Sequence, residues 1–278
     1  MTLVGEWAPL SDARYELGEG ARASDGGFVF VDLLAGALIA DDGSMLHNLD
    51  VPLGAVAPRT DGGWIAAAGN GIAFLDRSGG EIEWVADLLV DALVPMRMND
   101  GVADPHGRFW AGAMPYGDHP GTGFLVRVDV DGSIRRVLDG LTIPNGPAFS
   151  ADGSVMYLAE SSAGLITRYD VADNGHLLAP TVFAEVGDAS PDGMTVDADG
   201  YLWSALWGGH RLHRYAPDGG LEEIVPVPAA QPTSIALASG RILVTTATTG
   251  LDAPGPWDGA TLVASTTVAG VPTAMFGG

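Results

Sequence analysis

Cysteine and lysine are both absent from the 278 residues. Without cysteine there is no disulfide framework, no thiolate metal site and no cysteine nucleophile. Without lysine there is no Schiff-base chemistry and no Walker-type phosphate lysine. Positive charge is scarce as well: thirteen arginines face 35 acidic residues, for a formal charge of −22. A uniformly acidic surface favours solubility and repels phosphate backbones and anionic lipid heads, which argues against nucleic acid and membranes as partners. The first twenty residues lack the basic start and apolar core of a signal peptide, and no apolar run is long enough to span a bilayer. These absences lead to the expectation of a soluble, cytoplasmic protein. Long amphipathic helical periodicity is missing too; the one candidate segment, Glu81 to Val94, is too apolar and too β-branched for a surface helix.

Glycine and proline, by contrast, are plentiful at 40 and 18 and spread along the whole length. That distribution predicts many short strands joined by turns. No Pro/Gly/Ser linker and no abrupt shift of charge divides the chain, so one β domain over residues 1–278 is expected. The stretch Arg97 to Met114 condenses the layout: a polar cluster (Arg97, Asn99, Asp100), a turn at Asp104-Pro-His-Gly107, and an aromatic strand with Phe109 and Trp110. The rest of the chain repeats it. Strands marked by a large apolar residue after a turn carry Phe30, Trp64, Trp110, Tyr157, Trp203 and Leu243, at intervals of 34, 46, 47, 46 and 40. Turns rich in Asp and Gly precede them, at Asp25, Asp61, Asp104, Asp152 and Asp199. Further strands follow at Phe124–Val128, Leu165–Tyr169 and Leu212–Tyr215. A period near 46 with four short strands per unit is the spacing of a propeller blade. Six units fill the chain, so the fold class is all-β: a six-bladed β-propeller with four-stranded antiparallel blades around a central channel. Closing the ring removes an open sheet edge; the tail offers Thr261–Ala264 and Thr273–Phe276, and Thr2 to Trp7 is expected to supply the outer strand.

The same phase carries chemistry. Eleven or twelve residues before the markers stand Glu19, Asn99, Asn145 and Asp192, with Leu53 and Pro232 at the two remaining positions. Equivalent positions in successive blades form a ring about the axis, here at the start of each innermost strand. Asn145-Gly and Asp192-Gly also read as plain turn dipeptides, and Glu19 as an exposed carboxylate. Four oxygen-bearing side chains in one phase point instead to a site for a hard divalent cation, which offsets the crowding of like charges at the channel mouth.

Taken in order, Leu17-Gly-Glu19-Gly, Arg97-Met-Asn99-Asp-Gly101, Gly107-Arg-Phe-Trp-Ala-Gly-Ala-Met114, Pro144-Asn145-Gly, Phe149-Ser-Ala-Asp-Gly153, Pro191-Asp192-Gly-Met194, Leu202-Trp203 and Trp207-Gly-Gly209 resemble the SMP-30/gluconolactonase/regucalcin family. The resemblance runs from about Glu16 to Thr246. It implies a six-bladed propeller whose single divalent metal is held by Glu19, Asn145 and Asp192. It also implies substrate contacts from Arg97 and Asn99, Asp192 as general base, and hydrolysis of sugar lactones. Arg97, a planar fixed cation, suits ring oxygens or hydroxyls; read structurally, it is a salt-bridge partner of Asp100 or Asp104. Oxygen-rich ligation suits calcium first, with magnesium or manganese, and zinc with fewer ligands, as alternatives. The sequence departs from the family after Met114. There some members carry an acidic substrate-binding residue, and here Tyr116, Asp118 or His119 takes that place, with Tyr116 the expected substrate contact. The first blade also reads as abbreviated, with Glu19-Gly-Ala-Arg-Ala where a tryptophan-bearing strand is common.

Other signals are weaker. Asp129-Val-Asp131-Gly and Asp197-Ala-Asp199-Gly look like the start of an EF-hand loop but lack its closing glutamate, and read as hairpin turns. His210 and His213 are spaced to point to opposite faces of a strand. No Gly-x-Ser-x-Gly elbow is present, and glycine pairs such as Gly208-Gly209 lack a dinucleotide setting. The expected partner is a small sugar lactone, handled by a monomer or a weak homo-oligomer. The competing readings are hydrolysis of aryl esters or organophosphates on the same metal site, and a non-catalytic calcium-binding or interaction propeller.

Overall fold

The computed structural model describes residues 2–24, 26–77, 79–80 and 82–277. Each repeat unit forms one four-stranded antiparallel sheet, and six such sheets make a ring. The six marker residues all fall in the second strands of their blades: Gly27–Asp32, Trp64–Ala68, Phe109–Pro115, Val155–Glu160, Leu202–Trp207 and Arg241–Thr246. Position within the blade explains composition. Trp64–Ala68 is buried throughout because neighbouring blades cover both of its faces, while the outer strand Ile82–Asp87 is largely exposed. That strand occupies the start of the apolar Glu81 to Val94 segment, whose first residue lies outside the described ones. Between blades the packing is apolar: Ile65 and Ile72 of blade 2 pack with Met98, Phe109 and Ala111 of blade 3.

Two of the Asp-Gly turns do more than reverse the chain. In blade 3 the buried Asp104 accepts from the backbone N–H groups of His106 and Arg108, from Arg108 Nε at 2.6 Å and from Trp110 Nε1 at 2.8 Å. In blade 5 Asp197 repeats the pattern with Asp199, Tyr201, Arg214 and Trp203. Asp–x5–Trp is thus a blade-internal clamp. Asp129 closes a hairpin turn, accepting from Arg135 at 3.2 Å and Ser133 at 3.3 Å. The Asp25 turn reaches outside the described residues.

Ring closure follows the expected logic in a different register. The outer strand of blade 6 is Ala8–Pro9, paired with Leu262–Ser265, and Leu3 adds a bridge to Thr266, so the closing stretch reaches beyond Trp7. Thr273–Phe276 is not a strand. It belongs to a strap that crosses the face of the propeller opposite Glu19, where Thr273 Oγ1 donates to Ala23 O at 2.8 Å and the Phe276 N–H donates to Pro58 O at 2.8 Å. Phe276 packs into the core shared by blades 2 and 3. Beneath the strap lies an apolar chamber of about 450 Å³, bounded by Arg22, Phe149, Met194 and Leu237. Blade 1 is not abbreviated: it has all four strands, from Gly18–Ser24 to Met45–Asn48.

Candidate functional site

Each innermost strand breaks register at or beside the ring position. The irregularities fall between Glu19 and Arg22, Leu53 and Ala55, Met98 and Gly101, Asn145 and Ala148, Pro191 and Met194, and Pro232 and Ser234. A bulge re-aims a side chain that regular pleating would send between blades. Glycine lets these bulges meet at the axis. A Cβ on Gly54 would lie 2.3 Å from Asn99 O, and one on Gly146, at φ 50°, would lie 2.5 Å from Asp192 O. Asn145-Gly and Asp192-Gly are therefore close-packed strand segments, not turns, and Glu19 is buried, not exposed.

The structure brings four of the expected residues into one directed chain of hydrogen bonds. Arg97 Nη1 donates to Asn99 Oδ1 at 2.6 Å; Asn99 Nδ2 donates to Asn145 Oδ1 at 3.1 Å and to Pro144 O at 3.0 Å. Asn145 Nδ2 then donates to Asp192 Oδ1. A guanidinium can only donate, so its end of the chain dictates how each amide must face. The arrangement refines what Asn99 offers: both of its N–H groups are engaged, which leaves a lone pair on Oδ1. Arg97 Nη1 also donates to Met98 O, and among the described residues no hydrogen bond engages its Nε or Nη2. Arg97 pairs with neither Asp100 nor Asp104. Asp100 binds Arg22 at 3.1 Å and Asp104 binds Arg108. Tyr116 stands at the rim, 44% exposed, among the groups that surround Arg97.

Glu19 joins this cluster through its field. Burial and then the Asp100 carboxylate push its pKa up to about 8, against the pull of the Gly20 N–H, Arg97 and Arg22. Burial, followed by Glu19 and Asp100, raises Asp192 well above the usual carboxylate range. Burial also lowers the Arg97 pKa, opposed by Tyr116, Glu19 and Asp192. Three buried carboxylates thus face two buried guanidiniums, and Arg22 is already committed to Asp100 and to Gly101 O. Among the described residues no group of three His, Asp or Glu side chains forms a ready cage. A cation here needs an amide oxygen as its third donor, and Asn145, whose Nδ2 meets Asp192, keeps a lone pair on Oδ1 beyond the one that accepts from Asn99. Such an all-oxygen set with an excess of negative charge fits a hard divalent ion.

Two participants went unread in the sequence. Arg22 falls three residues after Glu19, just past the bulge, and plugs the channel against Asp100. Ser161 sits on a loop outside the repeat phase, and nothing in the pattern marks it. The two histidines are separated: His210 is exposed at φ 53°, whereas His213 is buried with Nδ1 2.8 Å from the Tyr215 hydroxyl.

A six-bladed propeller whose channel mouth gathers buried carboxylates, amides and an arginine belongs to the class with an axial polar site. The chain is a member of a particular group within that class. Residues 17–248 match the SMP-30/Gluconolactonase/LRE-like region, and the protein belongs to that family. It is 36% identical to an L-arabinolactonase of Azospirillum brasilense, over 99% of this chain and 97% of the relative. It is 34% identical to the pentonolactonase XacC of Haloferax volcanii, over 85% and 83%. Among solved structures it superposes on a calcium-binding protein, regucalcin, from Agrobacterium tumefaciens, with TM-score 0.90 and 26% identity over 99% of this chain and 97% of the other.

Proposed function

We propose that this protein is a sugar lactonase that opens an aldonolactone to its aldonic acid with the help of one divalent cation, calcium foremost. The observation that carries the reading is the shortage of positive charge at the axis: among the described residues, Glu19, Asp100 and Asp192 are buried together against Arg22 and Arg97. Relatives named L-arabinolactonase and pentonolactonase support the substrate class. Glu19, Asn145 and Asp192 would hold the cation, which supplies Lewis-acid polarisation of a carbonyl and lowers the pKa of nearby acids.

The remaining work falls to the chain's own groups. Arg97 offers Nε and Nη2 to substrate oxygens, and its engagement with Asn99 and Met98 O holds the fork still, so little entropy is lost on binding. Asn99 Oδ1 accepts from a sugar hydroxyl. Tyr116 borders the entrance, where its hydroxyl meets the sugar's outer edge. Asp192, once ionised, takes the proton of the attacking water on the carboxylate oxygen that Asn145 does not engage. The fixed dipoles of the buried site favour the charge that develops on the carbonyl oxygen.

Proton release in weak buffer tests this reading. Pentono- and gluconolactones are expected to turn over well above the spontaneous rate, to lose that turnover in chelator, and to regain it on adding Ca²⁺ or Mn²⁺. Turnover confined to aryl esters or phosphotriesters, or none with any lactone, would contradict it.

A further inference from the structure

Ser161 opens a short 3₁₀ turn, Ser161–Ala163, that follows the second strand of blade 4. Its backbone is tied on both sides: its N–H donates to Ile143 O at 3.1 Å, and its carbonyl accepts from the Gly164 N–H at 3.2 Å. The buried side chain therefore leaves a fixed point and reaches into the gap between two blades. On the blade 5 side its hydroxyl donates to Pro191 O at 2.6 Å, the residue directly before Asp192. On the blade 4 side its Oγ lies 3.3 Å from Asn145 Nδ2.

A serine hydroxyl carries one proton. With that proton committed to Pro191 O, Oγ can only accept from Asn145, so it pairs with the amide nitrogen and repels the amide oxygen. The chain of donors that begins at Arg97 demands the same orientation from the other end. Asn145 is thus held between two independent readers of its two faces: Asn99 Nδ2 fixes Oδ1, and Ser161 Oγ fixes Nδ2. The link to Pro191 also ties the bulge that carries Asp192 to the blade that carries Asn145.

We propose that Ser161 is a positioning residue for the cation site: it sets the amide orientation of Asn145 and fixes blade 4 against blade 5, so that Asn145 Oδ1 and the Asp192 carboxylate are preorganised as a pair. The inference rests on reading Asn145 and Asp192 as cation ligands. Groups that orient metal ligands in this way typically account for 10–100-fold in affinity.

The test is Mn²⁺ affinity by electron paramagnetic resonance of the free ion, on chelator-stripped protein, with urea unfolding measured alongside. Ser161→Ala is expected to weaken Mn²⁺ binding by about 10–100-fold, while Ser161→Thr, which keeps the hydroxyl, restores most of the affinity. If Ser161→Ala does not fold, the near-isosteric pair Ser161→Thr and Ser161→Val carries the comparison, and the valine variant is expected to bind more weakly. A merely structural link would lower the urea midpoint of the alanine or valine variant and leave Mn²⁺ affinity unchanged; that result overturns the proposal. If wild-type protein binds no Mn²⁺, the cation reading itself fails and this inference falls with it, an outcome distinct from equal binding by wild type and variants.

Discussion

Replacing Asp192 by asparagine lowers the lactone-opening rate by about 10²–10⁴-fold, the range expected when a positioned general base is removed. The substitution keeps the size and planarity of the side chain but takes away the proton acceptor. The hydrogen-bond chain keeps its direction, because Asn145 Nδ2 requires the variant amide to turn its oxygen inward, which leaves an NH2 group where the proton acceptor stood. The loss is expected chiefly in kcat, since Arg97 and Tyr116 still receive the sugar, with a smaller rise in the cation concentration needed for half-maximal rate. Initial rates of proton release across lactone and Ca²⁺ concentrations separate the two effects. A variant within tenfold of wild type in kcat would remove Asp192 from the role of base.

The second large effect is on stability. Asp197→Ala is expected to lower the unfolding free energy by about 3–5 kcal/mol, the cost of breaking a buried ion pair from one side. The carboxylate receives Arg214 through Nε at 2.9 Å and Nη2 at 2.7 Å, Trp203 Nε1 at 3.0 Å, and two backbone N–H groups. Its removal leaves a buried guanidinium and an indole N–H without an acceptor. The loss is a large share of the roughly 5–15 kcal/mol available to a folded domain. Asp199→Ala, two residues on and exposed, is the matched control, expected to shift stability by under about 0.5 kcal/mol. Urea unfolding of the two variants decides the matter; equal midpoints would show that Asp197 is a turn residue and nothing more.

That pair also shows where the sequence speaks and where it is silent. Asp197-Ala-Asp199-Gly reads as a turn, and it is one, but only the six-residue interval from Asp104 to Trp110 and from Asp197 to Trp203 hints that the first aspartate is buried. The blade period was legible because each second strand must bury a large residue between neighbours, so Trp110 and Trp203 recur at blade spacing. The ring of Glu19, Asn99, Asn145 and Asp192 was legible for the same reason: it keeps phase with those markers. The bulges that turn these side chains inward have no simple pattern in the chain beyond a following glycine, which turn chemistry explains equally well. The pairing of Arg22 with Asp100 went unread because it joins blades 1 and 3 across the channel, a contact without sequence periodicity. The closing register failed by a few residues because the outer strand of blade 6 is only two residues long, Ala8–Pro9, too short for an alternation to show.

Whether distant ring positions share one cation is decided by a Mn²⁺-soaked crystal measured at the manganese absorption edge. A single strong anomalous peak is expected on the propeller axis, in contact with oxygens of Glu19, Asn145 and Asp192. A peak elsewhere on the surface, with those three side chains touching no ion at saturating Mn²⁺, would contradict it.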